Sequence, residues 1–350
     1  MPILTFVLRR LLHALPLLVC VIVFNFFLIH LAPGDPIQAL VGEFPAPEAY
    51  LAEMRKVFGL DQPLYIQLLL YVKNILSGDL GFSFYYRQPV MSVIMDRVPA
   101  TLQLMLPALI FSAAVGILLG ILSARKPYSL TDNAISAFSL FGYCVPAFWF
   151  GQMLMAAFAI ELGWLPSQGI KTVGVDLSGA ARVLDRAAHL VLPFIALAIR
   201  HLAVNARMMR SSMLEVAYED FVTVARAKGL HEKDVIARHM VPNALMPVVT
   251  IIGVDVGFLF TGSVLVETVF GWPGIGRLMY ESIVKRDYPV LMGNFLMTTA
   301  LVVLVNLVVD LVYLWLDPRV KYGKWIVRLP CLTEREIFSR KERQGRQDKI

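Results

Sequence analysis

The sequence predicts an all-α integral membrane protein with six spanning helices. Three observations carry that prediction. Apolar windows of bilayer length recur along the chain, Lys and Arg collect in alternate connecting segments, and the 350 residues are 57% hydrophobic. The mean hydropathy of +0.66 exceeds what a soluble core of this size requires. The net charge of +6 does not signal nucleic-acid binding, because the basic residues lie at the ends of apolar runs and in the last thirty positions. Cys20 and Cys144 fall inside apolar runs and Cys331 in the basic tail, so no disulfide framework is implied.

The first span is Leu11 to Leu31, preceded by Arg9 and Arg10. It is too long for a signal-peptide core and long enough to cross about 30 Å of hydrocarbon, so it reads as a retained anchor. Arg9 and Arg10 lack the polar lead-in of a twin-arginine export signal. An outer segment, 32–98, follows. Within it Tyr50, Met54, Val57 and Phe58 share one helical face that ends at Gly59. A second stretch, Pro63 to Leu76, opens after Asp61, is too short to span and stops at Ser77-Gly78. Both are expected as surface helices or a small cap.

The second span is 102–124. The third, Ala134 to Ile160, contains Gly142 and Pro146, which membrane helices tolerate. The fourth has only a short apolar stretch, His189 to Ile199, which holds Pro193 and runs into Arg200 and His201. Charge sidedness decides it. With six spans, the segments assigned to the cytoplasm (1–10, 125–133, 200–243 and 317–350) hold 21 Lys and Arg, and the outer ones hold 11. Five spans would put the basic tail outside. The fifth and sixth spans are 245–266 and 292–316. The organisation expected is therefore an N-terminus and first helix (1–31), an outer loop region (32–98), a five-helix core (99–316) and a cytoplasmic basic tail (317–350), with both termini cytoplasmic. Gly116-x-x-x-Gly120 and Gly253-x-x-x-Gly257 read as small-residue faces for close helix packing.

The cytoplasmic loop 207–243 is the most informative segment. Leu214, Tyr218, Phe221 and Ala225 recur at helical spacing and predict one apolar stripe, while Glu215, Glu219, Asp220, Arg226 and Lys228 occupy the other faces. Acidic residues come early and basic ones late, as the helix dipole favours. Gly229 is expected as a left-handed cap that lets a second helix fold back closely, and that helix, through Val235, Ile236 and Met240, is expected to end at Pro242.

The string Glu219-Asp220-Phe221-Val222-Thr223-Val224-Ala225-Arg226-Ala227-Lys228-Gly229-Leu230, followed by Arg238-His239 and Asn243-Ala244, resembles the coupling loop of ABC importer permeases of the dipeptide, oligopeptide and nickel group. Further patches resemble the same group, in order. They are Pro33-Gly34-Asp35-Pro36, Gly262, Glu267-Thr268-Val269-Phe270, Trp272-Pro273-Gly274-Ile275-Gly276, Arg286-Asp287-Tyr288-Pro289, Asn306-Leu307, Asp310-Leu311-Val312-Tyr313 and Asp317-Pro318-Arg319. The resemblance runs from residue 3 to about 322. Thr223-Val224-Ala225 replaces the Glu-Ala-Ala of the general importer motif, and His239 stands where Ile is frequent.

What the resemblance implies is a type I ABC importer permease, one half of a transmembrane pair with a second, related permease. Its coupling residues would be Glu219, Asp220, Phe221, Ala225, Arg226, Ala227, Lys228 and Gly229, docked on two separate ATPase subunits or domains. ATP and Mg would be bound by those partners and no cofactor by this chain, and an extracytoplasmic solute-binding protein would deliver substrate. Peptides, nickel chelates, glutathione or opines all fit the group. The chain offers no ATP site of its own, since Gly257 to Gly262 followed by Ser263 lacks the lysine of a phosphate-binding loop.

Polar residues inside spans complete the candidate list. Asp255 lies mid-span, where a charge costs about 2.5–3.5 kcal/mol unless it faces protein or water. It reads either as a pore residue that tolerates a substrate's amino terminus or a metal ion, or as a helix contact. Asn306 and Asp310 lie one turn apart on the last span and read as pore or bundle polar residues, with a structural hydrogen-bond role favoured over substrate contact. Glu267, Pro273, Gly274 and Gly276 form a candidate outer gate or a structural turn. The six histidines show no metal-ligand spacing, and no nucleophile motif appears, so no catalytic or metal site is assigned. The competing class is a stand-alone secondary transporter or channel that uses Asp255 and Asp310 as ion relays.

Overall fold

The structure is a computed structural model that describes residues 3–31, 62–83, 85–257 and 264–316. The helical face at Tyr50–Phe58, the Pro33–Pro36 patch, Gly262 and the tail 317–350 lie outside the described residues. Among the described residues, helix α1 (Ile3–Leu31) packs mainly near its C-terminal end, where Asn25 and Phe26 are buried. Leu8, Leu11, Leu12 and Leu15 point outward, as lipid or a partner requires. Near its C-terminal end, His30 bonds Gln67 at 3.0 Å on helix α2 (Leu64–Leu76), which Ser77 and the left-handed Gly78 terminate as the sequence indicates.

A two-residue antiparallel ladder, β1 (Phe82–Ser83) with β2 (Gln88–Pro89), leads into helix α3 (Val90–Arg125). Helix α6 (Gly179–Val216) is the other long element. At 1.5 Å per residue the two are about 54 and 57 Å long, so both extend well beyond the hydrocarbon layer. Pro193 lies inside α6 without ending it. The fourth span therefore exists, and its weak hydropathy has a physical reason. Buried Ala196, Ala198, Ala203, Asn205 and Ala206 meet protein in place of lipid, so small and polar residues suffice. Opposite them on α3, a Cβ added at Gly116 would stand 2.7 Å from the Asn205 Cβ, and one at Gly120 would stand 2.7 Å from the Ala206 carbonyl oxygen. Any larger residue would force the two helices apart. Gly253 is in similarly tight contact with Val309, so the Gly116/Gly120 face and the Gly253 position are both used for close packing.

The third span is broken. Helix α4 (Leu130–Cys144) and helix α5 (Ala147–Leu154, continued as a π-helical stretch Met155–Glu161) meet at 102°. Pro146 is the cause. It donates no hydrogen bond and holds Val145 extended, with φ −79° and ψ 128°. Among the described residues, five helices are long and apolar enough to cross a membrane, and the bent pair makes a sixth if it is one span.

Beyond α6 come α7 (Asp220–Ala227), α8 (Glu232–Asp234), a π-helical stretch Val235–Met240, and α9 (Val241–Gly257). Pro242 does not end the second helix of the 207–243 loop, contrary to the sequence expectation. The wider π turn just before it accommodates the proline ring and its missing donor, and Asn243 Nδ2 caps the His239 carbonyl at 2.7 Å. After 258–263, outside the described residues, lie α10 (Val264–Val269), α11 (Ile275–Val284) and α12 (Tyr288–Leu316). Pro2–Val309 forms one compact unit, and a second begins at Asp310, whose described part is the end of α12.

Candidate functional site

Two regions carry the predicted site residues. The first is helix α7, in the loop that the sequence assigns to the cytoplasm. The chain leaves α6 at Val216, turns through Ala217–Glu219, and re-enters helix with Glu219 as cap and Asp220 in the first turn, where their charges complement the helix dipole. This break shifts the helical phase, so the expected stripe Leu214–Tyr218–Phe221–Ala225 does not lie on one helix. The buried face of α7 is instead Val222 and Ala225, packed in a core with Met209, Met213, Val235, Met240, Ala244 and Val248. Tyr218 (88% exposed), Phe221, Val224 and Leu230 are exposed, and Phe221 and Val224, three residues apart, share the outward face of α7.

Ala227 closes α7 and Lys228 caps it, donating its amide to the Val224 carbonyl at 3.0 Å. Gly229 then adopts φ +79°, which favours glycine. A Cβ added there would meet no atom within 4 Å. Gly229 is thus required for its backbone conformation, and the close helix approach expected from the sequence is absent at this position. Arg226 bridges the turn with two bonds to Glu232, at 3.2 and 2.9 Å, and links α7 to α8. Both side chains are exposed, so this pair contributes orientation more than stability.

The second region is the turn between α10 and α11. Glu267 is fully buried. Its carboxylate accepts from Thr101 Oγ1 at 3.0 Å and from the Arg277 amide at 2.9 Å, and Thr101 Oγ1 accepts from the Ile275 amide at 2.8 Å. Trp272, also buried, donates Nε1 to the Ala100 carbonyl at 2.7 Å. Gly274 and Gly276 are glycine for lack of space: a Cβ on Gly274 would collide with the Glu267 carboxylate, and one on Gly276 would stand 2.8 Å from Val264 Cα. The turn is therefore fastened to α3 through buried polar contacts. Pro273 lines a cavity of about 390 Å³ together with Asp96, Arg97, Gln103, Ile170 and Arg186.

Beside this turn, Glu281 accepts from Tyr86 Oη at 2.9 Å and Arg277 Nε at 2.8 Å, with Lys285 Nζ 3.5 Å away. Burial alone would raise the Glu281 carboxyl, but the Tyr86 hydrogen bond and the two cations outweigh it and hold it below its ordinary value. Asp287 of the Arg-Asp-Tyr-Pro patch accepts from Ser83 Oγ at 2.5 Å and caps the start of α12. A capping role was readable from Asp ahead of Tyr288-Pro289 at a helix start. The link to Ser83, 204 residues away, was not.

In the spans, Asp255 on α9 faces His201 on α6, with Oδ2 3.0 Å from Nδ1. That oxygen is buried and accepts no hydrogen bond among the described residues. The sequence flagged Asp255 but treated His201 as scattered; a histidine inside a span was the missed signal. Asn306 is exposed on α12, and Asp310 lies further along the same helix.

Residues 116–322 match the family described as binding-protein-dependent transport system inner membrane component, and residues 3–105 match the N-terminal part of such membrane components. The chain is 42% identical over 337 residues to the di/tripeptide transport system permease protein DppB of Pseudomonas aeruginosa (strain UCBPP-PA14), spanning 92% of this chain and 100% of that relative. It is 39% identical over 338 residues to the dipeptide transport system permease protein DppB of Escherichia coli (strain K12), with the same coverage. It is 38% identical over 317 residues to the oligopeptide transport system permease protein AppB of Bacillus subtilis (strain 168), spanning 91% and 99%. Among solved structures, the inward-facing MetNI methionine ABC transporter superposes with a TM-score of 0.52 at 17% identity, over 65% of this chain and 97% of that chain, which shows the fold. The matched family accounts for the multi-pass inner-membrane architecture and for the all-α, type I ABC importer permease fold. The chain belongs to the family of binding-protein-dependent transport system inner membrane components.

Proposed function

We propose that this chain is the non-catalytic permease subunit of an ABC importer that moves di- and oligopeptides inward across the inner membrane. The peptide assignment is supported by the names of relatives that match over nine-tenths of the chain. Two separate ATPases bind ATP and Mg and engage α7, a second related permease completes the pathway, and an extracytoplasmic binding protein supplies the peptide. Both termini are cytoplasmic, in keeping with the 21 to 11 distribution of basic residues. The observation that carries the reading is the two-sided α7. One face, Val222 and Ala225, is packed into the core shared with α6 and α9, and the other exposes Phe221 and Val224. Such a helix passes a push from a bound partner directly to two spans.

Asp255 is the residue we assign to the pathway, as a mid-span carboxylate whose Oδ2 lies 3.0 Å from His201 Nδ1. Glu267, Pro273, Gly274 and Gly276 are assigned to an outer gate that stays closed while the Thr101 contacts hold. The coupling assignment is tested by placing cysteine at Phe221 and in the groove of the ATPase partner. Cross-linking that depends on assembly supports it; a Phe221 cysteine that stays freely labelled by water-soluble maleimide in the full complex contradicts it.

A further inference from the structure

Asp132, in the first turn of α4, is 1% exposed in its side chain. Arg210 on α6 meets it with two bonds, Nε to Oδ1 at 2.6 Å and Nη2 to Oδ2 at 2.7 Å. From the other side the Tyr128 amide donates to Oδ2 at 2.8 Å, and the Ser123 hydroxyl donates to Oδ1. Oδ1 is therefore shared between α6 and the end of α3, and Oδ2 between α6 and the turn that joins α3 to α4. Tyr128 holds φ +63° in that turn, a conformation its amide bond to Asp132 helps to fix.

The location gives the pair its meaning. Arg210 lies next to Met209 and one turn from Met213, and both methionines pack against Val222 and Ala225 of α7. The last two turns of α6 thus bear the α7 contact on one face and the Asp132 contact on another. Further along, Gly142 of α4 lies so close to α6 that an added Cβ would stand 3.1 Å from the Ile199 carbonyl oxygen. Helix α4 is held to α6 at two points, and the cytoplasmic one is a bidentate, direction-specific fork. Exchanging a buried ion pair for apolar packing is often neutral for stability, so cohesion alone does not call for a charge pair here.

We propose that Arg210 and Asp132 form a force-transmitting joint, positioning residues that carry a displacement of α7 through α6 into the α3–α4 turn, so that α3, α4 and α6 move as one body. The proposal rests on the importer reading above. It is tested in proteoliposomes that hold the complete transporter, by measuring radiolabelled alanyl-alanine uptake and ATP hydrolysis side by side. In Arg210→Gln, hydrolysis is expected to stay within about twofold of wild type while uptake falls about tenfold, and Arg210→Lys is expected to recover part of the uptake. An unchanged ratio of uptake to hydrolysis, whether both persist or both fall, overturns the joint. Should Arg210→Gln fail to assemble, the ratio in Arg210→Lys decides in the same way. Absence of ATP-dependent uptake in the wild-type complex contradicts the importer reading and the joint with it, whereas wild-type uptake with an unchanged variant ratio contradicts the joint alone.

Discussion

Thr101 on α3 and Glu267 on α10 are 166 residues apart in sequence and 3.0 Å apart in the fold, and the same threonine oxygen accepts the Ile275 amide at 2.8 Å. One hydroxyl therefore fastens both limbs of the outer turn to a spanning helix. Thr101→Val keeps the shape and removes both contacts. Leaving buried polar groups unsatisfied costs about 1–3 kcal/mol. The variant is expected to unfold at lower temperature in detergent, as read by thermal-shift fluorescence, and an unchanged midpoint would show that the turn is held by packing alone.

Gly229 requires a positive φ and has open space around it. Conformation, not size, then decides which substitutes work. Gly229→Val, forced into the left-handed region at about 1–3 kcal/mol, is expected to abolish uptake while membrane insertion persists. Gly229→Asn, which visits that region more readily, is expected to retain most uptake. Equal loss in both variants would mean that bulk at the turn is what matters.

Asp255 and His201 share a contact between α6 and α9. Asp255→Asn is expected to lower alanyl-alanine uptake about tenfold, equivalent to about 1.4 kcal/mol, with ATP hydrolysis retained. Wild-type uptake and stability together in this variant would remove Asp255 from both the pathway and the helix contact.

Glu281 has a carboxyl held below its ordinary value of 4.5. A depressed carboxyl contributes stability that is fully present above the unfolded value and is lost as pH falls through the lower folded value. Wild type is therefore expected to be more thermostable than Glu281→Gln at pH 6, and the difference is expected to shrink as pH drops below about 4.5. A difference that stays constant down to pH 3.5 would assign the effect to shape, not charge.

Much of this fold is legible in the sequence because bilayer length and charge sidedness are one-dimensional signals. Leu11–Leu31 and the last span announce themselves by length, and α6 is recovered by counting sides even though Pro193 and Arg200 depress its hydropathy. What stays hidden is phase and long-range pairing. Three residues of turn after Val216 rotate α7 enough to bury Val222 where the spacing favoured Phe221. Pro242 looked like a stop because a π turn that absorbs a proline has no sequence signature comparable to a helix cap. The pairings Thr101–Glu267, Ser83–Asp287 and His201–Asp255 join distant segments, and only the fold brings them together. Gly116 and Gly120 were legible as a packing face, yet their partner helix was not.

The central claim is that this chain conducts peptide only when partner ATPases act on α7. It is tested by reconstituting the chain with its permease and ATPase partners and the binding protein, and separately by itself, and measuring radiolabelled alanyl-alanine accumulation with ATP or with an imposed ion gradient. Accumulation that requires ATP and the complete complex, and that fails when Phe221 is replaced by Asp, is the predicted result. Gradient-driven accumulation by the purified chain alone would contradict it.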